Sequence, residues 1–356
     1  MARRKARIPQ GKKLQPVPLT MTFDLGTLDP SSGGGFNTTR TVFIDLSQCA
    51  SLVSRKFFRQ GLVWATSGMK LTTVATDVAG NPVIASPAGR LIVRKLPRSW
   101  TMSNSWHKGF ATWQKMNNEA LAEAESVKPK FLDFKIFMDQ YHHNVGVGQN
   151  YLPISGGSDT WIPEVATAGE WDMSSYLIPD SSNPGAAQDR EIIAVGSNYP
   201  GVGASGLNAV SLIEGYASSR GLPDIRDPNV PDDAADADGT TPENWISATF
   251  NEGTVQDDRI LDDMISENNQ APYPFENDGT NTDTMYPGGA NQLTGSEISS
   301  FEYITGSTIG GNTHIKGETF PCGLIRIDLL NYDETNYQKN LLQIQLVPGP
   351  HRGYMC

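Results

Sequence analysis

The stretch VPLTMTFDL, residues 17–25, alternates apolar and polar positions without a break. Its apolar members are Val17, Leu19, Met21, Phe23 and Leu25. Successive side chains of a β-strand point to opposite faces, so this period of two predicts a strand with one apolar face. The stretch therefore favours a fold built from sheets.

About ten further segments carry the same β-strand character, because they are rich in β-branched and aromatic residues. Residues that favour turns separate them, chiefly Gly, Pro, Asn and Asp. The segments are residues 41–46, 61–76, 90–96, 131–138, 171–178, 191–195, 245–250, 301–305, 324–330 and 341–347.

Helical periodicity is confined to three segments, residues 103–125, 207–219 and 255–268. In the first of them, Trp106, Phe110 and Trp113 recur at the spacing of one helix face. These helices interrupt the run of strands and do not alternate with it, which argues against a doubly wound α/β fold. The sequence predicts an all-β fold: a β-sandwich with long loops and two or three inserted helices.

Length and composition exclude several classes of protein. The 356 residues contain no apolar run that approaches the ~18 residues needed to span a bilayer. No apolar segment of a signal peptide follows the basic N-terminus, so we expect the protein to stay in the cytosol or nucleus. Three cysteines without C-x-x-C spacing predict neither a disulfide framework nor a zinc site.

The charge is divided unevenly along the chain. Residues 1–135 hold 20 Lys and Arg against 8 Asp and Glu, a net charge of +12, whereas the remainder carries -23. Residues 1–15 form a basic arm with no hydrophobic period, which we expect to be disordered in isolation. The arm contains no carboxylate, and its six cations are Arg3, Arg4, Lys5, Arg7, Lys12 and Lys13.

The acidic half contains a long polar stretch. Between Asp224 and Asp283 there are 16 carboxylates and only two arginines. A stretch of this length without hydrophobic periodicity is unusual inside a compact domain unless it has a function. We expect residues 220–290 to form acidic surface loops.

Two motifs suggest ligand binding, and for each a surface loop is the preferred interpretation. Residues 201–206 match G-x-G-x-x-G, but no second strand of a βαβ unit follows. Residues 232–239 resemble a calcium loop, but position twelve of the EF-hand register falls on Trp245 and not on Glu. We therefore expect no cofactor and no metal site.

Histidines and tryptophans give weaker signals. His142 and His143 are adjacent, and in a strand they would face opposite sides, which does not suit one metal ion. No motif of a hydrolase, metalloprotease or P-loop enzyme occurs, so we expect no enzymatic activity. Trp100 and Trp106 lie near Arg98, His107 and Lys108, where stacking on nucleic-acid bases is an alternative to core packing.

A short basic arm before a β-rich chain resembles the capsid proteins of small icosahedral viruses. The segments KPKFLDFKIFMDQYH (128–142) and DDMISENNQAPYP…MYPGG (262–289) are most similar to capsid proteins of small circular single-stranded DNA viruses.

The resemblance implies a single jelly-roll shell domain over residues 16–356, behind the arm at residues 1–15. It also implies a homo-oligomer of 60 copies or a multiple of 60, and a packaged genome, expected to be single-stranded DNA, bound by the six arm cations. The location would be the virion, with assembly in the host nucleus or cytoplasm.

Two other functions remain open at the level of sequence. A carbohydrate-binding or carbohydrate-active β-sandwich would use exposed aromatic residues and carboxylates, but it leaves the basic arm unexplained. A nucleotide-binding enzyme would use residues 201–206.

Overall fold

The computed structural model describes residues 19–30, 39–122, 133–155, 164–179, 187–200, 207–220, 295–306 and 311–348. The chain divides into two compact units. The first unit comprises Met1–Lys95, Gly146–Asp172 and Glu297–Cys356, and the second comprises Leu96–Val145 and Met173–Ser296.

Strands dominate the described residues, and four α-helices accompany them. The strands are β1 (Thr20–Leu28), β2 (Thr39–Asp45), β3 (Trp64–Thr76), β4 (Gly89–Lys95), β5 (Ile154–Ser155), β6 (Glu164–Val165), β7 (Ser175–Pro179), β8 (Ala187–Ile193), β9 (Tyr199–Pro200), β10 (Leu207–Ser211), β11 (Glu297–Ile304), β12 (Asn312–Lys316), β13 (Thr319–Phe320), β14 (Leu324–Asn331) and β15 (Tyr337–Leu346). The helices are α1 (Leu46–Ser54), α2 (Trp100–Leu121), α3 (Gln140–Val145) and α4 (Leu212–Arg220).

Residues 20–25 of the alternating stretch at 17–25 form the first part of β1, which confirms the predicted strand there. Met21, Phe23 and Leu25 are buried, and the polar positions between them are only partly covered. β1 pairs antiparallel with β15, and the register shifts between Asp24 and Gly26. Gly26 takes a positive φ of 76°, a conformation that glycine adopts without steric cost, and this bulge ends the strict alternation.

The first unit contains two large antiparallel sheets and the two-stranded antiparallel sheet β5–β6. In the two large sheets the strands follow two four-strand paths. One has the order β1–β15–β3–β12, with the short strand β13 also paired to β3, and the other has the order β11–β4–β14–β2. Eight strands make up these two paths. In chain order these eight strands are β1, β2, β3, β4, β11, β12, β14 and β15. If they are numbered 1 to 8 in that order, the sequence of strands is 1-8-3-6 in one sheet and 5-4-7-2 in the other. Both segments of the second unit lie between β4 and β11 in the sequence, and residues 146–172 of the first unit separate them.

The core of the first unit takes its residues from the apolar faces of both sheets, which makes the unit a β-sandwich. Phe23 and Leu71 come from one sheet, and Val93 and Ile327 from the other; all four are fully or almost fully buried. Trp64 lies in the same core, edge-on to Phe58 at 5.6 Å between ring centroids.

The second unit has a smaller, mixed sheet of order β7–β8–β10–β9, in which β8 and β10 are parallel. Helix α2 packs against α4 within this unit. Around Trp106 the apolar face of α2 forms an aromatic cluster: Trp106 stacks on Phe110 at 5.3 Å and contacts Phe134 edge-on at 5.9 Å.

Several predicted boundaries need correction. Residues 133–138 of the predicted strand at 131–138 form no strand, apart from one isolated bridge between Phe137 and Ile193. Residues 207–211 of the predicted helix at 207–219 form β10, and α4 begins at Leu212. Four helices occur in the described residues where two or three were predicted, because α1 and α3 were not foreseen.

Candidate functional site

The six cations of the predicted arm, Arg3, Arg4, Lys5, Arg7, Lys12 and Lys13, lie outside the described residues. The glycine-rich loop at 201–206, the acidic stretch at 224–283 and the predicted helix at 255–268 also lie outside them. Their roles stay predictions.

A buried carboxylate organises one end of the first unit. Asp45 closes β2 and caps α1: its Oδ1 accepts hydrogen bonds from the backbone N–H groups of Ser47 at 2.8 Å and Gln48 at 3.3 Å. Its Oδ2 accepts from Gln60 Nε2 at 2.9 Å and Trp171 Nε1 at 3.2 Å. Four donors therefore converge on one side chain and join β2, α1 and the segment that carries Trp171.

Burial raises the pKa of Asp45 to about 6, because removal from water penalises the carboxylate more than the hydrogen bonds from its donors favour it. Two free cysteines of the first unit, Cys49 and Cys322, are also fully buried. Burial and the charge of Asp45 raise the pKa of both thiols well above its usual value. Thiols in this state are poor nucleophiles.

A group of exposed cations and one aromatic residue follows α1 directly. Arg55 ends the helix in the left-handed conformation, with φ 51° and ψ 38°. Lys56, Phe57 and Arg59 come next, and all four side chains are exposed, with Phe57 39% accessible. We call these four residues the basic–aromatic patch. Sequence analysis missed this patch, although the run SRKFFRQ at residues 54–60 already showed three cations around two aromatic residues.

A cavity of about 220 Å³ opens beside this patch. The residues that line it include Arg55, Lys56, Phe57, Glu170 and Trp171. The ring centroids of Phe57 and Trp171 are 6.3 Å apart and the rings are tilted by 49°. The hydrogen bond from the Trp171 indole N–H to Asp45 ties this part of the cavity lining to the buried network.

The two tryptophans considered for base stacking have different environments. Trp106 is 2% exposed within the aromatic cluster of α2, so it is a core residue. Trp100 is 42% exposed and lies edge-on to Tyr216 at 6.3 Å, and Lys108 Nζ lies 5.0 Å from the centre of the Tyr216 ring. Only Trp100 retains an accessible face.

A second cavity, of about 290 Å³, lies inside the second unit between α2, β7 and α4. It is lined by Lys108, Gly109, Tyr176, Leu212 and Tyr216, among others. The Tyr176 hydroxyl donates to the carbonyl of Gly109 at 2.7 Å, and burial raises the pKa of this hydroxyl. Tyr176 therefore stays neutral and ties β7 to α2.

The adjacent histidines lie on α3 and not on a strand. His142 is buried, and its Nδ1 accepts from the backbone N–H of Met138 at 3.1 Å. His143 Nε2 lies 2.8 Å from a carboxylate oxygen of Glu191. Among the described residues, no three His, Cys, Asp or Glu side chains lie close enough together to hold a metal ion.

Comparison with known proteins finds no matching family model, no matching curated protein and no matching solved structure. In the described part of the chain, no helix combines the length and the hydropathy required to cross a membrane.

Proposed function

We propose that this chain is a viral coat subunit with a jelly-roll shell domain, which assembles into an icosahedral capsid and packages a nucleic-acid genome. The observation that carries the proposal is the order of the eight strands. With numbering 1 to 8 along the chain, strand 1 pairs with 8, 2 with 7, 3 with 6 and 4 with 5.

This pairing is the pattern expected when one long two-stranded ribbon rolls up into two sheets. A double-sheet jelly roll of eight strands consists of two Greek keys, and viral capsids are among the proteins built on it. The additional pairs 8 with 3 and 7 with 4 then complete a four-strand path in each sheet. The fold supports the proposal but does not identify the function, since unrelated functions share the same architecture.

The charge distribution supplies the second support. The six arm cations carry +6 and the remaining chain carries a net charge of -17. Cationic side chains bind phosphates without reading sequence, and many copies in a closed shell would share one polyanion. We infer that the partners are about 60 copies of the chain, or a multiple, and a genome of single-stranded DNA.

The alternative function is a carbohydrate-binding or carbohydrate-active β-sandwich, since lectins also use jelly rolls. The accessible Trp100, which lies edge-on to Tyr216 of the 290 Å³ cavity, favours it, because an exposed aromatic face suits stacking on a sugar ring. It predicts that a monomer binds or cleaves a polysaccharide, and it gives the basic arm no role.

Sedimentation of the purified full chain tests the proposal. We expect assemblies far larger than the 38.7 kDa monomer, carrying nucleic acid that resists nuclease treatment. Matched samples with and without added single-stranded DNA show whether the polyanion promotes assembly. A persistent monomer that ignores single-stranded DNA would overturn the proposal, and binding of a polysaccharide by that monomer would favour the alternative.

A further inference from the structure

We propose that the basic–aromatic patch and its 220 Å³ cavity form a second contact for single-stranded nucleic acid, located on the folded sandwich and distinct from the arm. In this contact the cations hold backbone phosphates, and one base enters the cavity against Phe57. The inference rests on the proposed function, because it takes the packaged strand as the ligand.

The charge of the patch fits a polyanion. Arg55, Lys56 and Arg59 fall within five consecutive residues, and all three side chains are exposed. Cations near the C-terminus of a helix are also favoured by the helix dipole, which gives an ordinary reason for Arg55 and Lys56. The dipole does not explain an exposed Phe57 between the cations or the cavity beside them.

The aromatic wall fits a base. Proteins that bind single strands combine a positive groove with aromatic side chains on which bases stack. Phe57, which is 39% exposed, supplies an accessible ring, and the buried Trp171 lies behind it at 6.3 Å between ring centroids. Glu170 also lines the cavity and offers a carboxylate that can accept a hydrogen bond from an N–H group of a base. The 220 Å³ cavity is thus lined by two cations, an aromatic ring and a carboxylate, from Arg55, Lys56, Phe57 and Glu170.

The site is held in shape before any ligand arrives. The N-terminus of α1 is capped by Asp45, and the same carboxylate accepts the Trp171 indole N–H at 3.2 Å. At the other end of α1 the left-handed Arg55 turns the chain, with the Lys56 N–H bonded to the Ser51 carbonyl at 3.2 Å. A preformed site loses less conformational freedom when it binds.

An acidic segment of a second copy of the chain is the rival occupant, because residues 224–283 carry 16 carboxylates. Carboxylates need only the cations of the patch, whereas a nucleic acid also uses the aromatic wall and the cavity. The presence of Phe57 and Trp171 in the concave surface therefore favours the nucleic acid.

The test uses the full chain and a fluorescent 20-nucleotide oligothymidylate at several salt concentrations. We expect Arg55→Gln to reduce the salt slope of log Kd by about 0.7, the value for one phosphate contact on a single strand. Phe57→Ala is expected to weaken binding about tenfold with an unchanged slope, since stacking is not electrostatic. Lys316→Gln, an exposed cation on β12, is the matched control and should change neither quantity.

Photo-crosslinking of a 5-iodouracil oligonucleotide to the wild-type full chain locates the contact directly. We expect a cross-linked peptide that contains Phe57. Cross-links confined to residues 1–13, together with unchanged binding by Arg55→Gln and Phe57→Ala, would overturn this inference and leave the proposed function intact. If the same two variants bind the oligonucleotide normally but assemble poorly, the acidic segment is the occupant and the inference is wrong. Absence of any oligonucleotide binding would remove the inference and the proposed function together.

Discussion

A full chain in which the arm cations are replaced by glutamine is expected to bind single-stranded DNA far more weakly at low salt and to package little nucleic acid. Each phosphate contact on a single strand contributes about 0.7 to the salt slope, so six cations contribute about 4. Between 50 and 200 mM salt, this slope corresponds to roughly a 10²-fold change in affinity, and the variant should lose that dependence. The replaced residues are Arg3, Arg4, Lys5, Arg7, Lys12 and Lys13.

The control is a chain whose residues 2–13 are shuffled with their composition unchanged. Because the arm is expected to act through charge and not through sequence, the shuffled chain should bind and package as the wild type does. Kd measured against salt concentration and the ratio of nucleic acid to protein in purified particles give the two readouts. Equal salt slopes for the wild type and the glutamine variant would show that the arm does not contact the genome.

Replacement of Asp45 by alanine is expected to cost the sandwich unit about 3–5 kcal/mol of free energy of unfolding. The change removes the cap of α1 and leaves the side-chain donors of Gln60 and Trp171 buried without their acceptor. The wall of the cavity beside the patch depends on the same carboxylate. We therefore expect this variant also to weaken oligonucleotide binding, provided that it folds.

The pH dependence of stability gives a separate readout of Asp45. The pKa of Asp45 is about 6 in the folded state and has its ordinary value of 3.8 in the unfolded chain, so the folded state holds the proton more tightly. Below pH 3.8 this carboxyl is protonated in both states and costs no free energy of unfolding. As the pH rises from 3.8 through 6, the unfolded chain loses the proton first, and the free energy of unfolding falls by about 3 kcal/mol in all.

Urea unfolding of the unassembled full chain, followed by tryptophan fluorescence between pH 4 and 7.5, measures this loss. Asp45→Asn should flatten the dependence in this window, whereas Asp172→Asn, which changes an exposed carboxylate of the same unit, should leave it in place. A wild-type chain whose stability does not fall between pH 4 and 7 would contradict the assigned burial and pKa of Asp45.

Local pattern was enough to predict the principal strands of the sandwich. Strict alternation identified β1, and β-branched runs identified most of β3, β4 and β14, because these strands bury one face in a shared core. The strand predicted at 131–138 is wrong over residues 133–138. The chain buries Phe134, Ile136, Phe137 and Met138 there without forming a strand.

Two helices were missed for local reasons. Helix α1 has only nine residues and follows a strand without a break, although Asp45 followed by Leu-Ser-Gln is a recognisable capping signal. Helix α3 is one and a half turns long, which is too short to show a hydrophobic period. The metal argument for His142 and His143 considered them only in a strand, whereas both lie on α3.

The candidate site was less predictable than the fold, because it is built from distant parts of the chain. The run at 54–60 showed the cations, but nothing local linked it to Trp171, which lies 126 positions after Asp45 and shares a hydrogen bond with it. The order of strands in the two sheets is likewise a property of non-local pairing, such as Thr20 opposite Gln345. Periodicity carries no information about such partners.

Image reconstruction of purified particles by cryo-electron microscopy tests the central claim most directly. The account predicts a closed shell of 60 copies or a multiple, with each eight-stranded sandwich in the wall and residues 3–13 directed towards enclosed nucleic acid. A single chain without symmetric neighbours, whose residues 3–13 fold back onto its own acidic segments, would contradict it.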